Sequence, residues 1–470
     1  MKILRRSIFF TAVFISLFSI VCSAKKITKP NIIFIYADDW GFGDLSCHGS
    51  SFCKTPNLDK MASEGMDFGN FTVVNPVCSP SRVSIMTGKF PARFCVHGHF
   101  ATVPSHIKRN MPDWLTPNTT LLPKILKEAG YTTAHYGKWH LTNIYVQDAP
   151  SPKEYGYDDF CCFNISANFR QMSTDSVVYK TIDFIEKNQD KPFFVNTWIH
   201  AVHTPFYPKE KYLKQFAALN ERERVYAAVI ADADYKIGML FAKLKELNLD
   251  KKTIVVFATD NGPEITKESD AKEWGNDDST GPGLGSYFSV GETAGMHGRK
   301  HSLFAGGVRV PFIVRWPGVV PAGKIDSTTA ITSVDVLTTF ADLAGVKLPK
   351  EYKSDGQSIV KAIMGKPFKR DNVIYWQWNF SSDRPYFWAD GGIEEDNWRL
   401  LVNEKLGKQE LYNISMDWGE QKNVIESYPE KAHDLLMKLH EWEKTLPKKA
   451  SSDCFSAARE KDLGPLNVIW

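Results

Sequence analysis

Four apolar runs in this 470-residue chain are each followed at once by charged or imidazole side chains. NIIFIY (31–36) is followed by Asp38, Asp39, Trp40 and Gly41, and TTAHYG (132–137) by Lys138 and His140. PFFVNTW (192–198) leads to His200 and His203, and TIVVFAT (253–259) to Asp260, Asn261 and Gly262. A lone Asp-Asp or Asp-Asn-Gly is an ordinary solvated turn. Two such turns ending two buried strands offer three carboxylates and an amide oxygen. That hard-oxygen set suits Ca2+ or Mg2+ and contains no Cys or His donor. Without a cation the clustered carboxylates would repel one another and take up protons. Arg82, Lys138, His140 and His203 would crowd the same face and form a cradle for an anion, a sulfate or phosphate ester. A lone histidine is more often structural, but Pro205 sets His203 in an extended loop rather than on a helix face.

The stretch NPVCSPSR (75–82) brings Cys78 and Arg82 together in a loop just before a VSIMTG helix. Helix N-terminal amides favour an anion there. The residues alone leave Cys78 open between a disulfide half, a nucleophile and a modified residue.

The elements that must position these groups follow from the pattern. Apolar runs alternating with helical patterns predict an α/β fold around a mainly parallel sheet, with VPFIVRW (310–316) a fifth strand. In such sheets ligands bind outside the carboxyl ends of the strands. Helices are predicted over LLPKILKEA after an Asn118-Thr-Thr cap and before Gly130, and over VDVLTTFADLA between Ser333 and Gly345. A third spans 221–247. After a helix around 357–364, the runs VIYWQWNF, NWRLLVNE and QELYNI and a closing helix over 429–446 predict a smaller antiparallel α+β subdomain. The expected division is 1–24 signal peptide, 25–368 catalytic α/β domain and 369–470 C-terminal subdomain. Residues 264–296 show little periodicity and read as either a substrate loop or a surface insertion; Trp274 and Tyr287 are its candidates for stacking on sugar rings.

Residues 1–24 carry Lys2, Arg5 and Arg6, then an apolar run, then Cys-Ser-Ala, the three-part pattern of a secretory signal peptide. The run is shorter than the ~20 residues of a membrane span, and Val21 before Cys22 disfavours a lipoprotein. Removing this segment takes three positive charges from a net charge of +3 and leaves zero. That balance gives no overall field for nucleic acid or an anionic membrane. No later segment is long and apolar enough to span a bilayer, so the expectation is a secreted or periplasmic protein, not integral to a membrane. Seven cysteines remain, an odd number in a chain whose export permits disulfides, and their connectivity is not legible.

The chain resembles the type I, formylglycine-dependent sulfatases of the alkaline phosphatase-like superfamily. PNIIFIYADDWGFGDLSCHG, TPNLDKMASEG, NPVCSPSRVSIMTGKFPAR, GYTTAHYGKWHL, HAVHTPF, FATDNG and GGVRVPFIVRWPG carry the likeness over roughly 30–345, with weaker similarity to about 445. The C-x-P-S-R run followed by Thr-Gly is the most specific piece. The resemblance implies an alkaline phosphatase-like sandwich and hydrolysis of a sulfate ester. It implies that Cys78 becomes formylglycine, whose hydrate attacks sulfur with one hydroxyl while the second later expels sulfate. Asp38, Asp39, Asp260 and Asn261 resemble ligands of one Ca2+ per chain. Arg82 resembles the arginine supporting the hydrate, Lys138 and His140 the pair beside hydrate and sulfate, and His203 a sulfate-binding histidine and candidate proton donor. Lys300, in GMHGRKHSLFAGG, resembles a sulfate-binding lysine ahead of an E-G-G turn, which here reads Ala305-Gly306-Gly307, with His297 and His301 nearby. The implied partners are a formylglycine-generating enzyme during maturation and a sulfated carbohydrate substrate, favoured over a steroid sulfate by export and neutral charge. Alternatives are a phosphodiester or phosphonate monoester hydrolase of the same superfamily, an inactive carbohydrate-binding relative, and a hydrolase using Cys78 as a thiolate.

Overall fold

The Asn31–Ala37 strand is buried along its whole length, as its unbroken apolar run requires. It lies between Thr253–Thr259 and Phe193–Trp198, parallel to both, and Thr132–Lys138 follows parallel on the far side of Phe193–Trp198. The computed structural model describes residues 29–143, 145–164, 173–267, 273–274 and 283–459. The predicted signal peptide lies outside them. Asp159–Phe163 closes one edge of the sheet. Beyond Thr253–Thr259 come Phe312–Arg315, antiparallel, then Met66–Phe68 and Lys324–Asp326, completing eight strands. All five predicted strands are therefore present, and the sheet is mostly parallel.

Alternate side chains of the central strand serve two cores. Ile32, Phe34 and Tyr36 join one, with residues of the helices Cys78–Thr87, Leu122–Glu128 and Asp335–Leu343. Ile33, Ile35 and Ala37 join the other, under Pro56–Ser63, Thr174–Lys187 and Glu221–Glu246. This is a helix–sheet–helix sandwich of the alkaline phosphatase-like type.

Local differences from the sequence reading have physical causes. The helix after Asn118-Thr-Thr starts one residue past Leu121, which caps it without a side-chain bond; Pro123 fixes its first turn, where a missing N–H costs nothing. Ser333 does not cap its helix either. Its hydroxyl accepts from Ser84 Oγ at 2.7 Å and from the Val74 amide at 3.3 Å, tying two segments together. Cys78 is the first residue of the Cys78–Thr87 helix rather than part of a preceding loop. Pro80 is compatible with that placement, because the first turn needs no N–H donors.

The C-terminal sheet contains Ile374–Gln377, Gly391–Glu395, Trp398–Asn403 and Lys408–Asn413, all antiparallel in chain order. Gly391–Glu395 was not anticipated, since paired glycines and acids are poor strand formers. A Cβ at Gly391 would sit 2.9 Å from Val402, which explains the glycine by packing. The Pro429–Lys444 helix buries Leu435, Leu439 and Trp442 on this sheet. Trp376, Trp378 and Trp442 belong to the same core cluster as Phe34, and Trp376 Nε1 donates to the Val73 carbonyl at 2.8 Å.

One buried ion pair links the layers. Arg399 binds Glu420 and the Leu303 carbonyl, while Glu420 accepts from the Ala305 amide at 2.6 Å; both side chains are fully buried. Glu420→Ala would strand the guanidinium and is expected to cost about 3–5 kcal/mol in chemical denaturation. A loss below about 1 kcal/mol, the range of exposed pairs, would show that the pair contributes little.

Candidate active site

The four strands that carry the sequence-predicted groups are immediate neighbours in the sheet. Their carboxyl ends therefore meet at one place, and all ten predicted site residues lie there. Asp38 and Asp39 leave the first strand through a turn in which Asp39 takes a left-handed φ of 64°. Asp tolerates this conformation better than most residues, and it points the two carboxylates into one cluster with Asp260.

Five of the six carboxylate oxygens of Asp38, Asp39 and Asp260 receive donors. Lys138 and His200 (Nδ1, 3.0 Å) bind Asp38 Oδ2. Asn261 Nδ2 donates to Asp39 Oδ1 at 2.7 Å, and Lys300 Nζ to Asp39 Oδ2 at 2.8 Å. The Asp39 amide donates to Asp260 Oδ1 at 3.2 Å, and Arg82 to Asp260 Oδ2 at 2.6 Å. Asp38 Oδ1 and Asn261 Oδ1 are buried with no hydrogen-bond partner. Two orphaned oxygens beside three converging carboxylates are what a hard divalent cation would satisfy. The charge balance agrees. Burial and the neighbouring Asp38 push the Asp260 carboxyl up to about 8. Burial opposes ionisation of Asp38 too, but Lys138 and the other cations hold it well below its usual range. The residues thus fit calcium.

Cys78 and Arg82 are one helical turn apart and share a face. Arg82 is fully buried, with its guanidinium over the Trp198 ring at 4.9 Å. Cys78 Sγ lies 3.0 Å from His140 Nδ1. The His140 Nε2 is 3.1 Å from the Phe100 carbonyl, which can only accept, so Nε2 carries the hydrogen and the Nδ1 lone pair faces position 78. Burial pushes the Cys78 thiol up to about 11. An unmodified Cys78 is therefore a protonated thiol, which argues against a thiolate hydrolase.

His203 donates from Nδ1 to the Thr204 carbonyl at 2.7 Å and turns Nε2 toward Asp39 Oδ2, 3.8 Å away. Lys300 sits between Asp39 and Glu264 (Oε2, 2.9 Å). Glu264 and His200 complete the site and had no assigned role in the sequence reading. His200 was visible after its strand, but only its bond to Asp38 gives it a role. Glu264 stands three residues past Asn261, and nothing local distinguishes it from a loop acid.

The 264–296 segment is only partly described. Leu284 exchanges backbone bonds of 2.8 and 3.0 Å with Phe206, three residues beyond His203. Glu292 accepts from Ser50 and Ser51, and Phe288 enters the second core. Tyr287 is half-buried, with the Arg222 guanidinium 4.1 Å over its ring. The side chain of Trp274 lies outside the described residues. Among the described cysteines none forms a disulfide.

A mostly parallel sheet thus gathers at its strand ends a cation-ready carboxylate cluster, buried cations and Cys78, an arrangement suited to hydrolysing anionic esters. Residues 30–346 match the sulfatase family model, and 295–448 match the C-terminal model of N-sulphoglucosamine sulphohydrolase. The N-acetylgalactosamine-6-sulfatase of Canis lupus familiaris is 30% identical over 442 residues, covering 85% of this chain and 75% of its own. The N-acetylgalactosamine-6-O-sulfatase of Bacteroides thetaiotaomicron is 26% identical, covering 87% and 92%. The crystal structure of Ps i-CgsB in complex with k-i-k-neocarrahexaose superposes with a TM-score of 0.75 at 25% identity, covering 91% and 96%. The chain belongs to the sulfatase family and is a sulfuric ester hydrolase.

Proposed function

We propose that this enzyme removes sulfate from a sulfated carbohydrate, using formylglycine derived from Cys78 and one Ca2+ held by Asp38, Asp39, Asp260 and Asn261. The observation that carries this reading is the buried junction of Cys78 with the His140 lone pair, beside the carboxylate cluster. The substrate class rests on the names of the relatives, which act on or bind sulfated sugars.

Calcium would neutralise the carboxylates and draw a sulfate oxygen toward the cluster. Formylglycine, as its hydrate, would supply the attacking oxygen. His140 Nδ1 is placed to take a proton from position 78. Lys138 and Lys300 balance the charge of the sulfate oxygens. Arg82 holds Asp260 and closes the floor. His203 is the group to protonate the leaving oxygen. Burial and then Lys300 keep its pKa well below the usual range, so the neutral ring has its lone pair on Nε2. An anionic sulfate beside it would offset Lys300 and favour the protonated ring. Maturation requires a formylglycine-generating enzyme, and export by the N-terminal segment places the protein outside the cytoplasm. Among the described residues no helix is long and apolar enough to cross a membrane.

The test is sulfate release from a panel of defined sulfated mono- and disaccharides, read by ion chromatography. Turnover of at least one panel member, lost on calcium chelation and restored by calcium, is expected. Turnover of aryl phosphodiesters alone would overturn the reading. A second outcome concerns the segment bound to Phe206. Shortening it between 268 and 282 is expected to lower kcat/KM for the sugar about tenfold, as a lost loop contact does, while sparing a small aryl sulfate. Equal losses on both substrates would make the segment structural.

A further inference from the structure

We propose that Glu264 is a positioning residue that sets the charge preference of the anion pocket, favouring a monoanionic sulfate ester over a dianionic phosphate ester. The inference rests on the sulfatase reading above and deepens it.

The pair of Glu264 with Lys300 is built into the fold at both ends. The Lys300 amide donates to the Pro263 carbonyl at 3.0 Å, and Arg299 donates to the Glu264 carbonyl at 3.1 and 3.2 Å. These bonds zip residues 263–264 against 299–300. Above them the Lys300 ammonium has two carboxylate partners, Asp39 at 2.8 Å and Glu264 at 2.9 Å. Burial opposes ionisation of Glu264, but Lys300 outweighs it and holds the carboxyl below its usual range. Glu264 therefore stays charged. It shares the ammonium with Asp39 and so fixes Lys300 between the two carboxylates.

Glu264 also changes the sum of charge. Around Cys78 stand three cations, Arg82, Lys138 and Lys300, and four carboxylates, Asp38, Asp39, Asp260 and Glu264. Whatever protons the histidines and Asp260 hold, an ionised Glu264 makes the pocket more negative by one charge than the same pocket with an amide at that position. A sulfate monoester carries one negative charge. A phosphate monoester carries nearly two at neutral pH. The fixed negative charge of Glu264 repels the second more than the first, and removing that charge relaxes the difference. Specificity is a difference of affinities, and a fixed carboxylate that repels the competitor supplies such a difference. Glu264 belongs to neither the Asp38-Asp39 nor the Asp260-Asn261 turn, so its charge can be removed while both remain.

Glu264→Gln tests the inference, because the amide oxygen can still accept from Lys300. Paired kinetics on one aryl sulfate and the matching aryl phosphate are compared with wild type at equal formylglycine content. The ratio of kcat/KM for phosphate to that for sulfate is expected to rise about tenfold, the effect of one neutralised charge at close range in a partly screened pocket. Glu264→Ala, which loses the acceptor as well, is expected to raise KM for the sulfate more than it lowers kcat. Calorimetric binding of phenyl sulfate and phenyl phosphate to Cys78→Ala, with and without Glu264→Gln, reads the same preference without turnover. An unchanged ratio in both assays would overturn the inference. Loss of bound calcium in Glu264→Gln would overturn it too, by making Glu264 a metal ligand. A wild-type enzyme inactive on aryl and sugar sulfates would overturn the proposed function, while the calorimetric comparison would still decide the charge preference.

Discussion

Cys78→Ala is expected to abolish turnover, by about 10⁴-fold or more, the scale of losing a nucleophile that acts as a unit with its base. The fold and the calcium site should survive. Position 78 is buried but small, so losing its sulfur should cost about 1 kcal/mol. Cys78→Ser should be nearly as inactive. A hydroxyl or thiol can attack sulfur once, but only a geminal diol has a second hydroxyl with which to expel sulfate. The native thiol is no better, since burial pushes it up to about 11 and keeps it protonated at neutral pH. Activity should therefore track conversion to the aldehyde. Peptide mass spectrometry across 78–82 should show sulfur lost and a carbonyl gained in active preparations. Full activity from material whose Cys78 is wholly an unmodified thiol would overturn the mechanism.

Asp260→Ala should lose bound calcium, activity and much of the stability together. Asp260 is the closest partner of the buried Arg82, at 2.6 Å, and the next carboxylate oxygen, on Asp38, is 3.8 Å away. Removing it leaves a buried guanidinium short of its counter-charge, a loss of about 3–5 kcal/mol. Asp260→Asn separates loss of the metal from loss of the fold. The amide keeps the shape and can still accept from Arg82, but it lacks the charge a cation needs. It should fold, with a lowered midpoint in denaturant, and retain less than stoichiometric calcium by elemental analysis. Stoichiometric calcium with wild-type turnover in Asp260→Asn would remove Asp260 from the metal site.

The site was legible because strand ends are. An apolar run marks a strand covered on both faces, and in a parallel sheet its carboxyl end is where ligands bind, so Asp38, Lys138, His203 and Asp260 could be grouped without knowing the strand order. The order that makes those four strands neighbours was not legible, since periodicity carries no pairing information. Glu264 was missed because its role comes from Lys300, from which a long stretch without periodicity separates it in the chain. Gly391–Glu395 was missed because its glycines are chosen by neighbours across the sheet, Val402 and Leu401, and not by strand propensity. The helical placement of Cys78 was within reach, since a proline two residues on is tolerated only in a first turn. The setting of Tyr287 was equally illegible, since the Arg222 guanidinium that lies over its ring comes from a distant helix.

Position 78 is 4% exposed and begins a helix in which every residue is buried. If formylglycine is made by a second protein, as proposed, that protein could not grip this segment once the chain has folded around it. Modification and folding are then competing rates, with the native state as a one-way gate. On that reading a chain that folds first would be sealed as a silent copy, and later supply of the maturation enzyme would not rescue it without global unfolding. The specific activity of a preparation would then record the outcome of that race in the cell that made it. Slower folding or more maturation enzyme raises the fraction of live molecules without changing a single contact in the native structure.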